Sequence, residues 1–152
     1  MKNMGFIGVG TMGFPMALNL IKNGHSLSFY DPFVNNKTIE ALIEAGAKQE
    51  KTIADLCKTK DFLISMLPIG ENVKEVALGE GGIINQDNTD LIYIDMSTIL
   101  PADSIDVSKQ LQTKNIQMFD APVARLINEA IDGTYSLWLE DRCKIFLKLK
   151  RF

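Results

Sequence analysis

The sequence predicts an α/β protein, with a Rossmann-type, doubly wound parallel sheet in a single domain. Two observations predict this fold. Short apolar runs that suit buried strands alternate along the chain with segments of helical periodicity. The first apolar run leads into a glycine-rich turn and a helix, and the next run ends in an acidic residue. With 152 residues, the chain is long enough to bury the core of one such domain.

The glycine-rich turn is the first element of the predicted site. Gly8, Gly10 and Gly13 form a G-x-G-x-x-G between a predicted strand, Met4 to Val9, and a predicted helix that Gly24 ends. Gly8 permits a tight turn, Gly10 lets backbone N–H groups approach a pyrophosphate, and Gly13 lets the helix pack closely on the strand. The N-terminus of the helix adds further N–H groups and a partial positive charge. The turn therefore predicts dinucleotide binding, and the alternative is that these glycines serve ordinary turns.

The acidic residue follows the second predicted strand, Ser26 to Tyr30. Asp31 stands 18 positions after Gly13, where its carboxylate would accept hydrogen bonds from the ribose hydroxyls of the adenosine. It would also repel the 2′-phosphate of NADP, because like charges about 4 Å apart cost roughly 4 kcal/mol at an effective dielectric constant near 20. Asp31 therefore predicts NAD as the cofactor rather than NADP. The alternative is that Asp31 and Pro32 only begin the next turn.

Two helices are predicted after Asp31. The first ends at Gly46 and turns three apolar side chains inward, those of Ile39, Leu42 and Ile43. The second begins with a capping box formed by Thr52 and Asp55 and runs through Cys57. We interpret Cys57 as a small core residue rather than a nucleophile.

The rest of the predicted sheet alternates in the same way. Strands are predicted over 61–67, 91–95 and 116–119, and helices over 71–78 and 101–113. The last of these helices is predicted to bury one face, formed by Ala102, Ile105, Ser108 and Leu111.

Ligands of such sheets bind outside the carboxyl ends of the strands. Leu67 and Pro68, Ser97 and Thr98, and the segment 120–125 follow three of these ends. For Ser97 and Thr98 the alternative is simple capping of the following helix, and for Arg125 it is a solvated surface charge. His25 lies at the opposite ends of the strands and is given no catalytic role.

Composition limits the classes of function. Hydrophobic residues make up 46% of the chain and charged residues 23%, and 16 basic minus 19 acidic side chains leave a net charge of −3. This balance favours neither nucleic acid nor an anionic membrane as a partner. No apolar run reaches the length of a membrane span, and the first strand begins too early for a signal peptide. Cys57 and Cys143 have neither metal nor redox spacing. We therefore expect a cytoplasmic protein without a metal site.

Residues 5–31 resemble the N-terminal signature of the β-hydroxyacid dehydrogenases, the family of 3-hydroxyisobutyrate dehydrogenase. The family pattern G-x-x-M-x-x-N-L is matched by Gly13, Met16, Asn19 and Leu20. Four further matches lie in register, namely Met66-Leu67-Pro68, Asp95-Met96-Ser97-Thr98, Asp120-Ala121-Pro122-Val123 and Gly133-Thr134. The resemblance thus extends to about Leu137.

This resemblance implies an NAD-dependent oxidoreductase that acts on a small anionic aldehyde or the matching 3-hydroxy acid. It implies that NAD contacts the glycine turn, including Thr11 and Met12 within it, and Asp31. It also implies contacts with NAD at Leu67, Pro68 and Thr98. It also implies that the segment beginning at Asp120 faces the acid group of the substrate. Ser97, Val123 and Ala124 are the other candidate substrate contacts.

The substrate segment departs from the family pattern at one point. Most members continue Asp-x-Pro-Val with Ser-Gly-Gly, whereas this chain continues with Ala124-Arg125-Leu126. In this it looks more like the sulfolactaldehyde reductase branch, in which an arginine follows. A guanidinium fork suits a carboxylate or sulfonate through paired N–H bonds. We therefore predict that Arg125 anchors the anionic group of the substrate.

The family places its catalytic lysine in an all-helical second domain, which also forms the dimer. We match no residue of this chain to that lysine, and so predict no catalytic residue and no family-type homo-oligomer here. The predicted organisation is an NAD-binding domain over 1–137 and an aberrant tail over 138–152, with the all-helical domain absent. The alternative to an active enzyme is then an inactive NAD-binding fragment or decayed gene product.

The tail itself suggests a frameshift at or just before Leu137. The family continues after Gly-Thr with a strand that ends Met-Val-Gly-Gly, whereas this chain reads Leu137-Trp-Leu-Glu-Asp141. If the codon of Leu137 ends in A, Leu139 is TTG and Glu140 is GAG, the same bases read one position earlier encode Met-Val-Gly-Gly. The alternative is a basic amphipathic tail that binds a membrane surface or a partner.

Overall fold

The computed structural model describes residues 1–88, 90–124, 127–132 and 136–137. Its strands are β1 (Asn3–Ile7), β2 (Ser26–Tyr30), β3 (Lys48–Gln49), β4 (Phe62–Ser65), β5 (Ile92–Asp95), β6 (Gln117–Asp120), β7 (Val123–Ala124) and β8 (Ser136–Leu137). Its α-helices are α1 (Gly13–Lys22), α2 (Asn36–Glu44), α3 (Ile53–Cys57), α4 (Gly70–Leu78), α5 (Pro101–Gln112) and α6 (Ile127–Asp132). A 3-10 turn covers Ile83–Asn85.

The first six strands form one parallel sheet in the order β3-β2-β1-β4-β5-β6. The chain winds outward from β1 in one direction to β3, returns to the other side of β1, and continues to β6. β1 and β4 are therefore neighbours at the point where the winding reverses, which is where doubly wound sheets bind their ligands. β7 and β8 form a separate antiparallel pair. The predicted Rossmann-type fold is confirmed.

Each face of the sheet has its own hydrophobic core, because successive residues of a strand point to opposite faces. On β1, Phe6 packs with the core under α1, α2 and α6, and Ile7 packs with the core under α3, α4 and α5. The central strands β1, β4 and β5 are thus largely buried on both sides, as expected for a parallel sheet between two helical layers, whereas β6 at the edge is half-buried or exposed.

The predicted inward face of α5 is confirmed at Leu111, which is buried, but is wrong at its N-terminal end. Ala102 is exposed and Ile105 is 54% exposed, whereas the buried side chains of this helix are Ser104, Val107 and Leu111. The helix is therefore rotated about its axis relative to the prediction, and polar contacts explain this rotation. Asp103 forms an ion pair of 2.6 Å with Lys74 of α4 and lies against Gly70, which turns the start of α5 toward α4.

A similar correction applies to α2, and four short elements were not predicted, namely β3, the 3-10 turn, β7 and α6. Leu42 is fully buried, as predicted, but the side chain of Ile43 is 50% exposed. β3 and the 3-10 turn are each only two or three residues long, and neither length is enough to establish a hydrophobic period. In the segment 135–139, where the family resemblance implies a final strand, the structure describes Ser136 and Leu137, which form β8. The tail 138–152 lies outside the described residues.

Asn19, which the family pattern singles out, joins α1 to α6. Its side-chain amide donates to the carbonyl oxygens of Ala130 at 2.8 Å and Ile131 at 3.3 Å. The last carbonyls of a helix have no partners within the helix, so the Asn19 amide supplies partners for the end of α6. These bonds therefore tie α6 to α1, the helix that begins at the glycine turn.

The predictions of Cys57 as a core residue and of Thr52 as the residue that caps α3 are confirmed, but the Asp55 carboxylate accepts from the Thr52 hydroxyl at 2.8 Å, so the reciprocal bond of a full capping box is not formed. Thr52 accepts a hydrogen bond from the Asp55 N–H at 3.0 Å and opens α3. The Cys57 side chain is 1% exposed, and burial raises the pKa of its thiol to about 12. A thiol with this pKa is protonated at neutral pH and is a poor nucleophile.

His25 gives the first testable prediction. Its Nδ1 accepts a hydrogen bond from the Lys2 N–H, and burial, with a smaller effect of the N-terminal charge, lowers its pKa. The folded state therefore binds fewer protons than the unfolded state just below pH 6.5, so the free energy of unfolding should decrease as the pH falls through this window. Urea titrations from pH 7.5 to 5.5 should show this slope in the wild type and a flatter slope in His25→Asn. Equal slopes in the two proteins would refute this role of His25.

Among the described residues, no helix combines the length and the apolar composition that crossing a bilayer requires.

Candidate functional site

A cleft of about 810 Å³ lies at the carboxyl ends of β1, β2 and β4. The glycine turn forms its floor, and the residues after β2 and β4 form two of its walls. Eight of the nine predicted cofactor contacts line it, namely Gly8, Gly10, Thr11, Met12, Gly13, Asp31, Leu67 and Pro68. The structure thus brings together residues that are up to 60 positions apart in the sequence.

Two of the three motif glycines are required by the packing of the protein itself. The backbone of Gly8 has a φ of +86°, and a Cβ there would lie 2.4 Å from the carbonyl oxygen of Met66. A Cβ on Gly13 would lie 2.0 Å from the carbonyl oxygen of Gly8. Contacts this short are sterically forbidden, so Gly8 and Gly13 let the turn, β4 and α1 approach one another.

Gly10 has no such internal reason to be glycine. Apart from Gly10 itself and its two chain neighbours, no described atom lies within 4 Å of the position that its Cβ would take, and its φ is not positive. The residue is exposed and lines the cleft. A side chain at this position would therefore project into space that a ligand can use, as the pyrophosphate cradle of a dinucleotide requires.

The N-terminus of α1 also favours binding of a pyrophosphate. No side chain caps this end of the helix, and its first turn contains no acidic residue. The first N–H groups of a helix lack partners within the helix and carry a partial positive charge. Met12 and Gly13, where α1 begins, both line the cleft. The residues present therefore fit a bound pyrophosphate.

The Asp31 carboxylate accepts two backbone hydrogen bonds just after the end of β2. Its Oδ2 accepts a hydrogen bond from the Val9 N–H at 2.9 Å, and its Oδ1 accepts one from the Phe33 N–H at 2.9 Å. The second bond is the turn that the sequence offered as the alternative role, and the first ties β2 to the glycine turn. Each carboxylate oxygen has two lone pairs, so both oxygens can still accept from a ribose.

The side chains that line the cleft have an acidic balance. Asp31 and Glu75 line it, and no lysine or arginine does so among the residues that the structure describes. Within the same described residues, no group of three or more His, Cys, Asp or Glu side chains is placed to hold a metal ion.

The outer part of the cleft was not predicted. Phe33, with a side chain that is 93% exposed, Ile53 and Val76 contribute apolar surface there. Further lining comes from Thr52, Asn72, Gly81 and Gly82. These residues belong to four separate segments that carry no shared motif, and only Phe33, an aromatic residue directly after Asp31-Pro32, gives a local signal.

Ser97 and Thr98 are placed differently from each other. Ser97 is fully buried, and its hydroxyl donates to Asp95 at 2.6 Å and accepts from the Leu67 N–H at 2.9 Å. Thr98 is exposed and is not part of the cleft lining. Neither caps α5, which has Leu100 at its N-cap and no side-chain cap, so the capping alternative is wrong.

The predicted substrate segment runs beside Ser97. The Ala121 N–H donates to the Asp95 carbonyl at 2.8 Å, and the Val123 N–H donates to the Met96 carbonyl at 3.4 Å. The half-buried Val123 and the backbone of Ala124 form β7. The structure therefore joins two of the segments predicted to contact the substrate. Arg125 lies outside the described residues, and its role stays a prediction.

Comparison with known proteins decides the family. Residues 3–139 match the family model described as the NAD binding domain of 6-phosphogluconate dehydrogenase. The chain belongs to this family. It is therefore an NAD(P)-binding domain, in which the glycine turn, Asp31 and the cleft are the expected features.

Relatives within this NAD(P)-binding family include two groups of enzymes. The chain is 40% identical over 137 residues to the 3-sulfolactaldehyde reductase of Escherichia coli (strain K12), and 35% identical over 136 residues to the 3-hydroxyisobutyrate dehydrogenase of Pseudomonas aeruginosa. Each match covers 90% of this chain and 45% of the relative. The chain thus spans about half the length of the curated relatives it matches.

Solved structures agree with the fold. The 3-hydroxyisobutyrate dehydrogenase of Mycobacterium tuberculosis, solved with L-serine, superposes with a TM-score of 0.85 at 25% identity. The superposition covers 99% of this chain and 50% of that one.

Proposed function

We propose that this chain binds NAD and serves an oxidoreductase of the 3-hydroxyacid dehydrogenase type. The observation that carries the proposal is the open position at Gly10, where a glycine that the protein does not need for its own packing borders the cleft. When bound, the nicotinamide dinucleotide supplies hydride transfer. This chain's own residues would hold the pyrophosphate at the glycine turn and the adenosine ribose at Asp31.

The charges that line the cleft support NAD over NADP. Asp31 and Glu75 are acidic, and no described lining residue offers a cation to a 2′-phosphate. Proteins that bind NADP accommodate this phosphate with a nearby arginine. Moreover, the Asp31 carboxylate is fixed by two hydrogen bonds at the end of β2 and cannot turn away without losing them.

Asp31→Asn tests this preference. Asparagine keeps the shape and one acceptor oxygen but removes the charge that repels the 2′-phosphate, so the ratio of the NADP Kd to the NAD Kd should fall at least about tenfold. Calorimetric titrations of both dinucleotides would measure this ratio. Asp61→Asn is the matched control, because Asp61 also accepts a backbone N–H, that of Asn3 at 2.9 Å, just before β4 and away from the cleft. A ratio that stays unchanged in Asp31→Asn, or that falls equally in the control, would contradict the proposal.

For the substrate, we propose a small anionic aldehyde or the matching 3-hydroxy acid. Two relatives support this class, since one is named for 3-sulfolactaldehyde and the other for 3-hydroxyisobutyrate, both of which carry an acid group. The segment 120–124 is held beside Ser97, and Arg125 follows it directly. A guanidinium there would pair with either a sulfonate or a carboxylate.

Arg125→Ala tests the anchoring role. We expect the affinity of the NADH-loaded chain for 3-hydroxypropane-1-sulfonate and for 3-hydroxyisobutyrate to fall at least about tenfold, since a charge-assisted pair is lost. NADH affinity should change by less than twofold. Arg142→Ala is the control for net charge. Unaltered binding of both acids in Arg125→Ala would rule out the anchor.

An activity assay separates the proposal from its alternative, a cofactor-binding chain without turnover. Within these 152 residues we match none to the catalytic lysine, and general acid–base help contributes typically 10²–10⁴-fold to such reactions. We therefore expect the 152-residue chain, assayed by itself, to bind NADH without measurable oxidation of it by short aldehyde acids. Turnover in this assay would show that the chain carries a complete active site.

A further inference from the structure

A buried carboxylate lies directly behind the wall of the cleft. Asp95, the last residue of β5, has no exposed surface. Its Oδ1 accepts hydrogen bonds from the Ser65 hydroxyl at 2.7 Å, the Ser97 hydroxyl at 2.6 Å and the Ser97 N–H at 3.2 Å. Its Oδ2 is buried and makes no hydrogen bond to the part of the chain that the structure describes.

The bonds around Asp95 form a directed chain. An ionised carboxylate only accepts hydrogen bonds, so the hydroxyls of Ser65 and Ser97 must both donate to it. The proton of Ser65 is then committed, and the buried Tyr93 hydroxyl, 2.7 Å away, donates to the Ser65 oxygen. The hydroxyl oxygen of Ser97 can likewise only accept a further hydrogen bond, and the Leu67 N–H donates to it at 2.9 Å.

Leu67 connects these hydrogen bonds to the cleft, because its N–H bonds Ser97 and its side chain lines the cleft. β4 ends at Ser65, and the Met66 N–H makes the last bond to β1, with the Ile7 carbonyl at 2.9 Å. The Leu67 N–H therefore lies beyond the last hydrogen bond between β4 and β1. It is held instead by the hydroxyl of Ser97, two positions after the end of β5. The Leu67 side chain lines the cleft, and its Cδ2 lies 2.9 Å from the position that a Cβ on Gly8 would take.

We propose that Asp95 is a positioning residue for the cofactor: through the Ser97 hydroxyl it holds the Leu67 N–H, and so sets the cleft wall against the Gly8 turn. The proposal rests on the proposed binding of NAD in this cleft. It gives the shape of the wall a cause that lies outside the wall, in a residue that does not line the cleft.

The energetics of burial support a role beyond core packing. An isolated buried carboxylate is costly, and replacing buried polar groups with apolar side chains of similar volume is often neutral or stabilising. Burial raises the pKa of the Asp95 carboxyl and the nearby Asp120 adds to this, while the bonds from Ser97 and Ser65 lower it. The serine bonds thus favour the charged form, which is the form that fixes the direction of the Ser97 hydroxyl.

A double-mutant cycle on NAD affinity tests the proposal. Calorimetry would give the NAD Kd of the wild type, Ser97→Ala, Asp95→Asn and the double variant. Ser97→Ala should raise the Kd about three- to tenfold, the range expected for one hydrogen bond, and Asp95→Asn should raise it by a smaller factor. The double variant should match Ser97→Ala within twofold, because Asp95 then has no route to Leu67. Independent factors that multiply in the double variant, or an unchanged Kd in Ser97→Ala, would overturn it.

Two further measurements keep the result interpretable. Ser28→Ala is the matched control, because Ser28 is a buried serine whose hydroxyl accepts from Lys60 at 2.8 Å away from the cleft. It should lower the Tm without changing the NAD Kd. Amide hydrogen exchange reports the link directly: the Leu67 amide should exchange at least tenfold faster in Ser97→Ala than in Ser28→Ala. If the wild type binds no dinucleotide, the proposed function fails, and an unchanged Leu67 exchange rate in Ser97→Ala would separately overturn the positioning role.

Discussion

Gly8→Ala should destabilise the folded chain by about 3–5 kcal/mol, a large part of the 5–15 kcal/mol typical of a domain. Two costs combine. An alanine with a φ near +86° pays about 1–2 kcal/mol for its backbone conformation. Its Cβ would also lie 2.4 Å from the Met66 carbonyl oxygen, so the turn and the end of β4 must move apart. Urea unfolding followed by circular dichroism would measure the loss.

Gly24→Ala separates the two costs. Gly24 has a φ of +82°, close to that of Gly8, but no described atom lies within 4 Å of the position of its Cβ. This variant should therefore lose only the 1–2 kcal/mol of backbone strain. Equal losses in Gly8→Ala and Gly24→Ala would show that the approach of Met66 to the turn is not tight.

Gly10→Val should have the opposite effect to Gly8→Ala: it should strongly lower the affinity for NAD and barely change the free energy of unfolding. A Cβ at this position meets no described atom beyond the two chain neighbours, and the φ of Gly10 is not positive, so we expect the free energy of unfolding to change by less than about 1 kcal/mol. The same side chain would occupy the space beside the turn in which a pyrophosphate must approach backbone N–H groups. NAD affinity should fall at least about 100-fold, or about 2.7 kcal/mol.

Adenosine is the ligand control for Gly10→Val. It lacks the pyrophosphate, so its weak binding, followed by ligand-observed NMR, should be the same in the variant and the wild type. An NAD affinity that survives Gly10→Val would place the pyrophosphate elsewhere, and a parallel loss of adenosine binding would indicate a general collapse of the cleft.

The central part of the fold and of the site could be predicted because the signals there are local. β2 begins and ends where the sequence predicts, because turn residues bound a short apolar run. Gly8, Gly10 and Gly13 follow one another within six positions. Gly8 and Gly13 meet steric demands of the protein's own packing, whereas Gly10 borders open space in the cleft. Asp31 follows directly from the end of β2.

The failures come from interactions between distant segments. The rotation of α5 depends on the Asp103–Lys74 pair, which the apolar period of the helix does not encode. The outer wall of the cleft joins Phe33, Ile53 and Val76 from three elements. Ser97 does not cap α5, and its predicted substrate contact stays a prediction. Its hydroxyl bonds Asp95, two positions earlier, and the N–H of Leu67, which the pairing of β4 with β5 brings to it.

Isothermal titration of the wild-type chain with NAD and then with NADP tests the central claim most directly. The acidic lining and the open Gly10 position predict one NAD site per chain and a Kd for NADP at least about tenfold higher. An NADP affinity equal to or tighter than that of NAD, or the absence of heat for both dinucleotides at millimolar concentration, would contradict it.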